Sequence, residues 1–150
     1  MKKSILLVAT LLCFTLVTKG QSQNKELFAA IMKNNAAAAE PLLVAGANPN
    51  TTIEIVPGVP TTYLITAAGS GNLDMVKLLL KHKAQVNQAD AFKATALMTA
   101  ASKGHKAVVE FLLASGADAK VKDDDGKDAL ALAKEAGKPD VTALLEQKMK

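Results

Sequence analysis

His82 and His105 are the only imidazoles of the chain, and Cys13 is its only thiol. Nucleophilic or general-base catalysis near neutral pH needs such a group beside a partner that activates or orients it. His105 belongs to a Gly-His pair that forms part of a longer repeated pattern, which leaves His82 with no nucleophile or metal-ligand cluster around it in the sequence. No glycine-rich loop of the phosphate-cradling kind is present. Asp123-Asp124-Asp125-Gly126 has the acid density of a calcium loop. Setting Gly126 at the sixth place of an EF-hand loop, however, puts Val121 at the first and Leu132 at the twelfth, where oxygen ligands are required. The run therefore reads as a solvated turn. The expectation is a chain with no catalytic, metal or cofactor-binding residues, whose function lies in its surface.

The composition says what kind of surface and core to expect. The 150 residues are 49% hydrophobic but only 3% aromatic, so one domain must build its core from Leu, Val, Ile and Ala. Such side chains suit close-packed helices better than a β-sandwich. All 18 basic residues are lysine. Without arginine, bidentate contacts to phosphates and base edges are lacking, and nucleic acid is not an expected partner.

The first residues carry their own message. Lys2 and Lys3 precede an apolar run from Ile5 to Val17, followed by Thr18-Lys19-Gly20-Gln21. This is the layout of a secretory signal peptide, too short to span a bilayer, with small residues Thr18 and Gly20 before a cleavage point. Residues 1–20 are expected to leave, which lowers the formal charge from +4 to +1 and removes Cys13. A lipoprotein reading is disfavoured, because Leu12 rather than a small residue precedes Cys13. The mature chain, residues 21–150, is expected in the periplasm or outside the cell, without a membrane-inserted segment.

What positions the surface is a repeat. Ala67, Ala100 and Ala133 stand 33 residues apart, the first two opening Ala-Ala pairs with Ala68 and Ala101. Around them Thr62-Tyr63-Leu64-Ile65-Thr66 matches Thr95-Ala96-Leu97-Met98-Thr99, and Met75-Val76-Lys77-Leu78-Leu79-Leu80 matches Val108-Val109-Glu110-Phe111-Leu112-Leu113. The spacing predicts two short antiparallel helices per repeat. Thr62 and Thr95 cap the first helix, Gly71 and Gly104 supply the left-handed residue after it, and the alanines allow neighbouring repeats to approach closely.

These segments resemble the ankyrin repeat, most fully from Thr95 to Ala119. A further copy reads Asp125-Gly126-Lys127-Asp128-Ala129-Leu130-Ala131-Leu132-Ala133, and a degenerate first copy includes Leu27-Phe28-Ala29-Ala30, Asn34-Asn35, Leu42-Leu43 and Gly46-Ala47-Asn48-Pro49-Asn50. The resemblance implies an all-α solenoid of four stacked helix-turn-helix repeats with β-turn fingers, at about 24–50, 59–90, 91–123 and 124–147. Lys83 stands where the family pattern has the glycine that ends a second helix, so a left-handed Lys83 would soften repeat two.

In that family the fingers and first helices line a concave face that commonly grips partner proteins. Repeat two starts late, with the extra residues in Thr51–Thr61, where β-branched residues flank Pro57-Gly58 and predict an extended hairpin. Ile53, Ile55, Val56 and Val59 there either cover the first repeat or form a contact surface. Phe92, beside Lys93 in the next finger, is expected as an exposed anchor, with Tyr63, Ser70 and Lys103 contributing from the first helices. The resemblance also implies a non-catalytic, monomeric module that binds another protein, as small exported bacterial ankyrin proteins are seen as companions of an enzyme such as a catalase, or as neutralisers of a toxin. A structural or small-ligand-binding envelope component is the alternative, and a deep apolar pocket beside the hairpin would favour it.

Overall fold

A computed structural model describes residues 22–150; the expected signal, residues 1–20, lies outside the described residues. Eight helices are present among the described residues: α1 over 22–32, α2 (Ala36–Val44), α3 (Tyr63–Gly69), α4 (Leu73–Lys81), α5 (Ala96–Lys103), α6 (Lys106–Ala114), α7 (Ala129–Glu135) and α8 (Pro139–Lys148). Two short strands, β1 (Thr52–Val56) and β2 (Val59–Thr62), form the only sheet among those residues. The helices pair in sequence, and the pairs stack. First helices pack in the row α3, α5, α7, and second helices in the row α2, α4, α6, α8, which is the ankyrin-repeat solenoid the residue pattern implies.

Helices this short are marginal alone, so caps and packing must define them. The Thr62 hydroxyl accepts from the Ile65 N–H at 3.1 Å, and Thr95 accepts from Met98 at 3.4 Å. Asp128 does the same for α7, with Ala131 N–H at 2.8 Å. Second helices are started by Asn35, bonded by Ala38 N–H, and Asn72, bonded by Met75 N–H. The alanines are where close approach demands them: Ala67, Ala68, Ala100, Ala101 and Ala133 are all buried, between layers filled by Met75, Val76, Leu79, Val108, Val109 and Leu112.

Each helix pair turns on a left-handed residue. Gly71, Gly104 and Gly137 follow the first helices of repeats two to four at φ +71, +82 and +64, and in repeat one Asn34 does so at φ 53. After the second helices, Gly46, Lys83 and Gly116 hold φ of +100, 72 and +91. Lys83 thus adopts the conformation its position requires, although its Cβ crowds the backbone there. Replacing Lys83 with glycine is expected to raise the unfolding free energy by about 1 kcal/mol, read from urea melts of the two proteins. A lower midpoint for the glycine protein would show that the lysine carries no strain. Repeat one has its own weakness in Pro41, inside α2, which removes one helical donor.

Polar side chains tie each repeat to the next. The Asn72 amide donates to the Asn34 carbonyl at 3.1 Å, and one repeat further on the His105 Nε2 bonds the Gly69 carbonyl at 3.1 Å. At the other end of the second helices, Asn50 accepts from Gln85 N–H at 2.8 Å and donates to the Lys83 carbonyl at 3.1 Å. Asn87 repeats the pattern, accepting from Asp118 N–H at 2.9 Å and donating to the Gly116 carbonyl at 3.4 Å. The Lys77 ammonium also sits over the Phe111 ring, 5.7 Å from its centre. No helix among the described residues is long and apolar enough to cross a membrane.

Candidate interaction face

The fingers form a row of their own. In the hairpin, Thr52, Ile53, Glu54 and Val56 stand opposite Thr62, Thr61, Pro60 and Val59, with a register shift at Ile55. Pro57 and Gly58 make the tip, where Gly58 at φ +79 has the left-handed backbone that a Pro-Gly type II turn requires. The Glu54 carboxylate closes this tip by accepting from the Gly58 N–H at 3.0 Å. The finger at 90–94 bends on Asp90, whose carboxylate accepts from Phe92 N–H at 2.8 Å and Ala94 N–H at 2.9 Å. Asp123 does the same one repeat later, for Asp125 N–H and Lys127 N–H at 3.0 and 2.8 Å. The acid run at 123–125 is therefore the frame of a finger turn.

Backbone bonds join the row. The Ala91 N–H donates to the Pro60 carbonyl at 3.2 Å, fixing the second finger to β2, and the Asp124 N–H donates to the Phe92 carbonyl at 3.1 Å, fixing the third finger to the second. The Lys93 ammonium pairs with the Asp124 carboxylate at 2.8 Å, and that hydrogen bond holds its pKa above the ordinary lysine value. Lys93 itself sits at φ 59, the place Gly126 takes in the next finger.

The residues singled out from sequence fall into three groups. Phe92, Ile55 and Val56 are exposed large apolar side chains, at 56%, 47% and 58% of their full surface. Val59 is half-buried in β2, and Ile53 packs against the core, so the hairpin divides the two roles foreseen for it: Ile53 covers, while Ile55 and Val56 stay outside. Ser70 and Lys103 are exposed at matching places at the ends of α3 and α5, and the Ser70 hydroxyl bonds Asn34 Oδ1 and the Ala67 carbonyl, both at 2.9 Å. Lys93 is exposed and engaged with Asp124.

Tyr63 requires a correction. Expected to offer its ring to a partner, it is only 1% exposed. Its hydroxyl donates to the Asn24 carbonyl at 2.9 Å, a bond that ties α3 to α1, and burial pushes the phenol up to about 12. It stays a donor at any physiological pH. The physical reason is the direction of a side chain one residue into a helix: it leans back over the preceding turn, here into the gap between β1 and α1, where an aromatic body with a polar tip is well satisfied. That gap leaves a groove of about 240 Å³ beside the hairpin, lined by Phe28, Ile53 and Tyr63, with Lys25 and Glu54 also along it.

Several structural residues escaped the reading of the sequence. Asn34 as a left-handed turn residue had a visible signal, since asparagine is the commonest substitute for glycine at positive φ, whereas the Asn50 and Asn87 ties depend on partners about one repeat away. Asp90 and Asp123 were separated by the same 33 residues as the alanines.

A model of the family described as "Ankyrin repeats (3 copies)" matches residues 27–123. The chain belongs to the ankyrin-repeat family, whose repeats generally mediate protein–protein interaction and are typically non-catalytic. The pair α7 and α8 lies beyond the matched span and packs on α5 and α6 as a further layer. No curated protein matches the chain.

Proposed function

We propose that this chain is a non-catalytic binding module of the cell envelope or the extracellular space, which holds a single partner protein across its fingers and first helices and thereby stabilises or inhibits it. The observation that carries this reading is the row of exposed apolar side chains, Ile55, Val56 and Phe92, on fingers bonded to one another through the backbone. Large apolar groups exposed on a rigid support are the usual anchors of an interface, here with Lys93 beside Phe92, Val59 opposite Val56 next to the hairpin tip, and Ser70 and Lys103 exposed at the far ends of the first helices. The groove beside the hairpin, about 240 Å³ and open, is smaller than the ~300–1,000 Å³ of ordinary small-ligand sites, which favours a protein partner over the small-ligand alternative.

The export reading rests on the first twenty residues. The test joins location and binding: the protein is crosslinked in its own cells, recovered by fractionation, sequenced from its N-terminus, and its attached partner identified. The expected product starts at or near Gln21 in the extracytoplasmic fraction; a cytosolic product starting at Met1 would sink the location. Phe92→Ala should then weaken the recovered partner by about 1 to 3 kcal/mol while leaving the melt unchanged, because the ring is exposed and its backbone is held by Asp90 and Asp124. Lys81→Ala, on α4 and paired with Glu40, should do little. Equal binding by both variants would move the interface away from the fingers.

A further inference from the structure

We infer that the outer edge of β1 is a docking edge for an extended segment of the partner protein, which adds a strand to the row of fingers. This rests on the reading of the chain as a protein-binding module, but on a different set of groups from Phe92. The row runs from the third finger through the second to β2 and then β1, and among the described residues nothing continues it beyond β1. Pro60 stands opposite Glu54 and turns its carbonyl away from β1 to meet the Ala91 N–H. In an antiparallel pair, residues of a non-hydrogen-bonded couple direct their N–H and C=O groups outward on both sides. The Glu54 N–H and C=O therefore point to the outer edge, and the alternation of the pleat puts those of Thr52, opposite Thr62, there as well.

The edge is also built to receive side chains. The groove lined by Phe28, Ile53 and Tyr63 runs along it, offering apolar surface to one face of an added strand, as alternate side chains of such a strand demand. The edge is short, five residues with one exposed carboxylate at Glu54 and a register shift between Glu54 and Val56, but it contains no proline and no lysine, and its exposed residues include Ile55 and Val56. A second copy of the chain is the less favourable occupant. Antiparallel pairing of two β1 strands about their middle residue would set Glu54 against Glu54, and like charges directly opposite are destabilising.

The probe is a phage-displayed library of heptapeptides alternating valine or threonine with randomised positions, selected on the purified protein. Glu54→Pro removes the outward N–H, at a position where the opposite residue is already a proline, and Glu54→Ala removes only the carboxylate. Selected peptides are expected to lose about tenfold or more in affinity on Glu54→Pro and on Thr52→Pro, and to change little on Glu54→Ala or Phe92→Ala. The Thr52 and Glu54 amides should gain protection from hydrogen exchange when peptide binds. The inference is overturned if no peptide exceeds a scrambled control, if peptides bind the Thr52→Pro and Glu54→Pro proteins as well as the parent, or if sedimentation shows the edge closed by a second copy. Loss of the natural partner on Phe92→Ala alone, with full binding by the two proline variants, would leave the finger interface standing and remove the docking edge.

Discussion

Ala100→Arg is expected to lower the unfolding free energy by about 4 kcal/mol or more, enough to consume much of the ~5–15 kcal/mol that holds a domain of this size. Ala100 is fully buried on α5, and α5 packs against α3 on one side and α7 on the other. A side chain of any length there forces apart two layers at once. The guanidinium also loses its water without gaining an acid, since the neighbouring layer positions are Ala67, Ala68, Ala101 and Ala133. Ala114→Arg, at the exposed end of α6, is the matched control and should stay within about 0.5 kcal/mol of the parent. Urea melts of the two variants decide the matter. If they coincided, Ala100 would not be a layer-contact position and the stacking described above would be wrong.

Gly71→Ala should be the second most damaging change, at about 2 to 3 kcal/mol. Two costs combine. The residue holds φ +71, a conformation that costs an alanine about 1 kcal/mol, and an added Cβ would lie 2.7 Å from Nδ1 of the His105 ring. The ring must move, and with it goes the bond from His105 Nε2 to the Gly69 carbonyl. Gly137→Ala isolates the backbone part, because that glycine holds φ +64 with nothing within 4 Å of a Cβ, and it should cost about 1 kcal/mol. Adding His105→Ala to the Gly71 variant should cost less than the two changes summed. An additive double mutant, measured by chemical denaturation, would mean that the ring and the glycine do not meet.

The fold was legible because ankyrin stacking writes itself as a period. Thr62, Thr95, the paired alanines and the runs of Leu and Val are forced by caps, close approach and layer filling, and each appears in its expected role. The hairpin was legible too, since Pro57-Gly58 between β-branched runs leaves few other conformations. The candidate face was only partly so. Which side of a short strand or helix a residue takes is decided by its neighbours in space, and Tyr63 shows the limit: its place in α3 was right, but its direction depended on Asn24 and Phe28 in a degenerate repeat. Ile53 and Ile55 are separated by a register shift that no pattern of apolar letters announces, and it puts one against the core and the other in solvent. The asparagine ties went unread for a different reason. They are single residues whose partners lie about one repeat away, so they carry no local periodicity.

The joints between layers are not alike, and this gives the stack a direction. Asn72 and His105 clip repeats two and three to the carbonyls of the repeat before. At the matching place in repeat four stands Lys138, which lays its carbon chain over Gly104. The last joint is tied at the fingers instead, by the Asp124 N–H on the Phe92 carbonyl and by the Lys93–Asp124 pair, with Val141 and Leu145 buried in the layer it holds. The column is thus stitched along its helix turns in the first three repeats and along its fingers from the second repeat into the fourth, so the surface offered to a partner is itself part of what fastens the last layer.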